Sequence, residues 1–177
     1  SIRRQRQMCI RDRLEAKHGK QTDRICELLA LCKDADADEL RAYMKEIMLI
    51  GTYIKRSANL YFLGKEYEML PQQEIRLTFD EAVRALNAGG TECGVAYLTT
   101  RAMRTSEVAR LLELVKDVVG MTRGGLHSLF ISLSDTEMNL SVECEGDLLE
   151  VVSSKVTACM EEGLWLIRTQ IGGGDNG

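Results

Sequence analysis

Apolar positions in the first third of the chain recur at helical spacing. Between Leu14 and Cys32 they fall at Leu14, His18, Gln21, Ile25, Leu28 and Cys32, steps of four and three that make a loose heptad with polar residues at two places. Lys33-Asp34-Ala35-Asp36-Ala37-Asp38 is an acidic break, with Asp38 the expected cap of the next helix. A cleaner stripe follows at Leu40, Met44, Ile47, Gly51, Ile54, Ala58 and Tyr61, running without proline to Gly64, the expected C-cap. At about 1.5 Å per residue such a helix reaches roughly 37 Å. Arg41, Lys55 and Arg56 read as a small basic strip on its solvated face. A short connection between two long helices predicts an antiparallel hairpin over residues 14–66. One hairpin cannot bury both of its stripes. The expected solution is a homodimer, a four-helix bundle with Leu40, Met44, Ile47, Ile54 and Tyr61 at the interface; the alternative is packing on the chain's own C-terminal part.

The pattern changes at Pro71, the single proline, which marks a domain boundary. Glu74–Leu77 predicts a short strand. Thr78 and Glu81 predict a capping box, opening a helix through Phe79, Ala82, Val83 and Leu86 that stops at Gly89-Gly90. Cys93–Thr99 alternates as a strand. Thr105 and Ser106 open a helix carrying Val108, Leu111, Leu112, Val115 and Val119 as far as Gly120. Leu126–Leu133 and Met138–Cys144 alternate around Ser134-Asp135-Thr136-Glu137, a hairpin. A last helix is expected over Asp147–Glu161, with Leu148, Val151, Val152, Val156 and Cys159 inward. It stops at Gly163, and the strand Leu164–Ile171 follows with Trp165 in the core. The order β-α-β-α-β-β-α-β predicts an α+β fold: the hairpin, then a two-layer α/β sandwich with a mixed sheet over residues 72–172.

Composition narrows the function classes. With 177 residues, 45% apolar and 28% charged, the chain is globular in type and not disordered. A net charge of −4 gives no footing for nucleic acid. No apolar run approaches the ~18 residues of a membrane span. The six cysteines include no Cys-x-x-Cys pair and stand beside only two histidines, so they read as reduced thiols filling apolar positions, which points to the cytoplasm. Gln5-Arg6-Gln7-Met8-Cys9-Ile10-Arg11-Asp12 looks like the in-frame translation of a sequencing-adapter end, which would set residues 1–13 outside the fold as an assembly scar; a natural basic helix start is the alternative. Residues 173–177 read as a glycine-rich tail.

Three stretches carry a family resemblance. Gly51-Thr52-Tyr53-Ile54-Lys55-Arg56-Ser57-Ala58-Asn59-Leu60 is similar to a run on the second dimerisation helix of Firmicutes kinase-like membrane sensors. Lys155-Val156-Thr157-Ala158-Cys159-Met160-Glu161-Glu162-Gly163-Leu164-Trp165-Leu166 resembles a last helix, its glycine and a final strand, and Gly172-Gly173-Gly174 follows as glycines often do there. With the element order, they make the chain resemble the dimerisation and ATP-binding core of sensor histidine kinases, of the GHKL ATPase superfamily. The resemblance implies a histidine-kinase-like ATPase fold, Mg-ATP as cofactor, and a response regulator or an upstream membrane sensor segment as partner.

The motifs that the resemblance implies are altered here. The family places a Glu and, four residues on, a Mg²⁺-holding Asn on one helix face; Glu113 and Asp117 occupy those places. Asp117 is still a hard oxygen donor for metal but adds negative charge beside a triphosphate. In Val142-Glu143-Cys144-Glu145-Gly146-Asp147, Cys144 stands two residues before Gly146, where the family has an Asp that accepts from the adenine amine. The helix expected from Asp147 follows almost at once and leaves no residues for the lid that covers the phosphates, so the lid is expected to be missing. His18, the phosphoacceptor candidate, precedes Gly19 and not the usual acidic residue. These departures lead to the expectation of a degenerate signalling module that dimerises, relays conformational change and takes no cofactor. The alternative is an active kinase or ATPase that uses Glu113 and Asp117 with Mg-ATP; a third reading is a two-domain interaction protein unrelated to kinases.

Overall fold

The computed structural model describes residues 2–172 apart from residue 123, and gives the backbone alone for residues 3 and 5–17. The tail 173–177 and the side chains of the segment 5–12 lie outside the described residues. The chain divides into two compact units, Ser1–Ala58 and Asn59–Gly177.

In the first unit α1 (Ile2–Leu31) and α2 (Ala37–Glu66, which continues into the second unit) form the hairpin. Arg24 donates two hydrogen bonds to Glu46, at 2.9 and 3.2 Å, and the His18 ring meets Tyr53 edge-on at 5.8 Å. A step back along α1 is therefore a step forward along α2, so the helices are antiparallel. His18 and Leu28 are buried on α1, and Tyr53, Arg56 and Ser57 on α2. Arg56 thus departs from the solvated strip expected of it. Asp36, not Asp38, caps α2: its carboxylate accepts from the N–H groups of Asp38 and Glu39 at 3.0 and 2.8 Å. The helix already begins at Ala37, which puts Asp38 inside its first turn.

The second unit holds β1 (Met69–Leu70), α3 (Gln72–Ala88), β2 (Glu92–Tyr97), β3 (Met103–Arg104) and α4 (Thr105–Met121). After these come β4 (Leu126–Leu133), β5 (Glu137–Cys144), a 3-10 turn at Leu149–Val151, β6 (Val156–Glu161) and β7 (Leu164–Gln170). Five strands form one sheet in the order β2-β4-β5-β7-β6, with β2 parallel to β4 and the other neighbours antiparallel. β1 and β3 make a separate antiparallel pair. Ile75, Phe79 and Leu86 of α3 and Val108, Leu111 and Val118 of α4 are buried, as are alternate sheet residues such as Leu129, Ile131, Leu140, Val142, Trp165 and Ile167. Intervening positions such as Phe130 and Arg168 are exposed, which makes this the expected α/β sandwich, with one covered sheet face. No helix among the described residues is long and apolar enough to cross a membrane.

Four local expectations are overturned. Gly64 does not end α2; the helix runs on to Glu66, and a Cβ at Gly64 would come within 3.3 Å of the Thr105 methyl, so glycine permits a close approach. Glu74–Leu77 is helix and not strand. Pro71 sits at the N-cap with φ −68°, the good helix formers Gln72, Gln73 and Glu74 follow, and Ile75, Phe79 and Leu86 share one face. Thr78, inside this helix, donates its hydroxyl to the Glu74 carbonyl at 2.9 Å and caps nothing. Asp147–Glu161 is not a helix either. Glu162 and Gly163 both have positive φ (50° and 84°), the requirement of a two-residue hairpin turn, and this turn folds β6 back on β7. Val152 and Cys159, expected inward, are exposed as a result.

Candidate functional site

Of the residues that the resemblance assigns to a nucleotide, Cys144 and Gly146 lie at the end of β5 and Glu113 and Asp117 on α4. The Gly125 N–H donates to the Thr122 carbonyl at 2.8 Å, and the Gly125 carbonyl accepts from the Glu145 N–H at 3.0 Å. The exit of α4 is thereby tied to the turn after β5. Cys144 closes β5 opposite Leu126, half-buried, and burial pushes its thiol upward, so it stays a neutral, weak hydrogen-bond partner. Gly146 takes φ 115°, a conformation that suits glycine, and its carbonyl accepts the Trp165 indole N–H at 3.3 Å. The Asp147 carboxylate accepts the Leu149 N–H at 2.7 Å and opens the 3-10 turn. Residues 145–155 alone join β5 to β6.

Glu113 and Asp117 are both exposed, one turn apart on α4. Asp117 pairs with Lys116 at 3.0 Å. No hydrogen bond or ion pair joins Glu113, Asp117 and Cys144 to one another among the described residues, and none of these residues belongs to a group of three or more metal-ligating side chains. His18 is 5% exposed. A ring enclosed in this way meets a phosphoryl donor only if the hairpin opens. Along the α2 stripe Leu40 and Met44 are exposed, while Ile47, Ile54 and Tyr61 are half-buried.

A second feature, absent from the sequence reading, lies at the other end of the sheet. β5 and β7 are antiparallel, so Trp165 and Gly146 lie towards one end, and the β4–β5 turn and Gln170 towards the other. There the first turn of α4, β3, the start of β6 and the end of β7 enclose a cleft of about 890 Å³. Arg110 braces it, donating to Glu107 at 2.6 and 3.1 Å, to the Thr169 hydroxyl at 2.8 Å and to the Gln170 carbonyl at 2.8 Å. Thr169 in turn donates to the Lys155 carbonyl at 2.9 Å. The hydrogen bond from Arg110 holds the Glu107 carboxyl below the usual carboxylate range against the opposing effect of burial, and the Gly172 N–H adds to the lowering. The only local signal of this cleft is the i, i+3 spacing of Glu107 and Arg110.

No protein-family model and no curated protein matches the sequence. Solved structures similar to the chain include a bacterial phosphotransferase, with a TM-score of 0.47 at 12% identity over 90% of this chain and 92% of that one. The histidine kinase domain of the blue-light activated kinase EL346 from Erythrobacter litoralis gives 0.48 at 11% identity, over 86% and 95% of the two chains. The histidine kinase AdeS of Acinetobacter baumannii gives 0.38 at 9% identity, over 86% and 93%. At these identities and TM-scores, none of the likenesses carries an argument about what the chain does.

Proposed function

We propose that the chain is a degenerate histidine-kinase-like signalling module. It dimerises through its hairpin, passes conformational change to a partner such as a response regulator or an upstream membrane sensor segment, and binds ATP weakly or not at all. A cytoplasmic location belongs to the same reading. The observation that carries it is the end of β5, where a neutral Cys144 thiol stands in the place of an adenine-binding carboxylate and residues 145–155 alone lead into β6. A thiol is a poor acceptor for an amine, and so short a connection has little chain with which to close over phosphates. Asp117 adds to this support: a carboxylate where an amide is expected repels a triphosphate, and Lys116 already engages it.

The second reading, an active kinase or ATPase, draws on the exposed placement of Glu113 and Asp117 one turn apart, which leaves both carboxylates within reach of solvent Mg²⁺ once Asp117 exchanges Lys116 for the metal. Thermal unfolding with and without Mg-ATP separates the two. A ligand at about 100 times its dissociation constant stabilises by about 2.7 kcal/mol, a rise of several degrees. No rise at millimolar Mg-ATP is the expected result. A rise that disappears in Asp117→Ala or Glu113→Gln would replace the degenerate module with the enzyme.

A further inference from the structure

The cleft at the start of α4 has a volume within the ~300–1,000 Å³ range of small-molecule sites. Its charge is unlike that of the rest of the chain. Arg101, Arg104, Arg110, Lys155 and Arg168 line it against two carboxylates, Glu107 and Asp135, in a chain with a formal net charge of −4. Both carboxylates are already engaged. Glu107 is held by Arg110, and Asp135 accepts the Thr99 hydroxyl and pairs with Arg101 at 3.6 Å. Arg110 is likewise committed to Glu107, Thr169 and Gln170.

The positive charge that no carboxylate within 4 Å offsets therefore sits on Arg104 and Lys155, and Arg168 adds a guanidinium that it shares with Glu137. Among the described residues, the side chains of Arg104 and Lys155 make no ion pair within 4 Å and no hydrogen bond, although the Lys155 charge helps to lower the Glu107 carboxyl. Arg168 reaches Asn139 at 3.0 Å and Glu137 at 3.4 Å but is 64% exposed. These three come from β3, the approach to β6, and β7, and only the sheet topology brings them to one concavity. Like charges gathered in a cleft repel one another and focus a positive potential, which an anion relieves.

We propose that this cleft binds a small phosphorylated anion carrying two or more negative charges, at the end of the sheet opposite Cys144 and Gly146. Phosphate oxygens suit the guanidinium forks of Arg104 and Arg168 and the point charge of Lys155. The site requires no adenine recognition, so it stands apart from the nucleotide reading. Binding there has a route to the chain that leaves α2: β3, which carries Arg104, pairs with β1, and Thr105 donates its N–H to the Glu68 carbonyl and its hydroxyl to the Tyr67 carbonyl, both at 2.9 Å.

Isothermal titration of the full chain with inorganic pyrophosphate at low ionic strength tests the proposal. Citrate serves as the non-phosphate anion, and unfolding curves confirm that each variant is folded. The expected result is saturable binding, weakened about tenfold or more by Arg104→Gln and by Lys155→Gln, the loss of one charge-assisted contact each. Arg84→Gln, on the exposed face of α3, should leave it unchanged. The proposal is overturned by an absence of binding at about 5 mM pyrophosphate, by equal affinity in the two cleft variants and wild type, or by an equal loss in Arg84→Gln. Citrate binding as tight as that of pyrophosphate would overturn the phosphate assignment.

Discussion

Glu107 and Arg110 face each other one turn apart at the start of α4, joined by hydrogen bonds of 2.6 and 3.1 Å, and the same guanidinium reaches across to the Thr169 hydroxyl. One side chain thus ties the second layer of the sandwich to its last strand. With side chains only 25% and 22% exposed, the pair is shielded better than a surface ion pair, and its two-pronged geometry fixes the orientation of both partners.

The pair makes stability depend on acid. Because the Glu107 carboxyl is held below its unfolded value, its contribution is fully present above that value, about pH 4.5. It is lost as pH falls through the lower, folded value. Glu107→Gln keeps the shape but removes the charge, and should lower stability at pH 7 by about 1 kcal/mol. Unfolding curves of wild type and Glu107→Gln should converge as pH drops from 5 towards 3. A gap that stays constant over that interval would remove the ion pair as its source.

The β6–β7 hairpin predicts opposite signs for strand and helix. Thr157 is an exposed residue of β6 and donates to the Arg168 carbonyl at 3.5 Å. In a strand, Thr157→Ala should destabilise by roughly 0.5–1 kcal/mol, through lost β-propensity and cross-strand packing. In the helix expected from the sequence, the same exchange would stabilise by several tenths of a kcal/mol. The urea midpoint decides, and an increase would restore the helix.

Cysteine chemistry should follow burial. Cys93 is bracketed by Asn87, whose side chain donates to its carbonyl at 3.0 Å and accepts its N–H at 2.9 Å, and burial pushes the thiol up to about 11. At pH 8 only about one such thiol in a thousand is ionised. Alkylation of the folded protein, followed by peptide mass spectrometry, should modify the exposed Cys26 and Cys159 first and Cys93 last. Equal rates at Cys93 and Cys159 would contradict the burial of β2.

Strongly periodic segments could be read directly from the sequence. α2, α4, β4, β5 and β7 each carry an uninterrupted stripe or alternation, and each forms within a few residues of expectation. The failures have local causes. Leu148, Val151, Val152, Val156 and Cys159 fit a helical period by coincidence, and Gly163, which closes a hairpin turn with Glu162, is the same residue type that ends a helix. Thr78 resembled a cap because its bond to Glu74 inside α3 cannot be told from capping by residue type. Glu113, Asp117, Cys144 and Gly146 are named by spacing against a family pattern, which reaches no further than one helix or one turn. The cleft cations span residues 101–168 and meet where the pairing of β6 with β7 comes up against β3 and the start of α4, which no linear spacing encodes.

The hairpin stripe gives the most direct test of assembly. Met44 is 45% exposed in the single chain, and Leu40 is 40% exposed beside it. If a second copy covers this stripe, Met44→Asp places an unpaired charge in an apolar interface, at a cost of several kcal/mol, while leaving an isolated hairpin nearly unaffected. Ile47→Asp and Ile54→Asp strike the same seam at half-buried positions, where a loss of helix packing contributes as well. Sedimentation equilibrium should show wild type at twice the chain mass and Met44→Asp at the chain mass, with helix content unchanged. Wild type at a single chain mass, or Met44→Asp still paired, would show that the stripe is not the surface on which two copies meet.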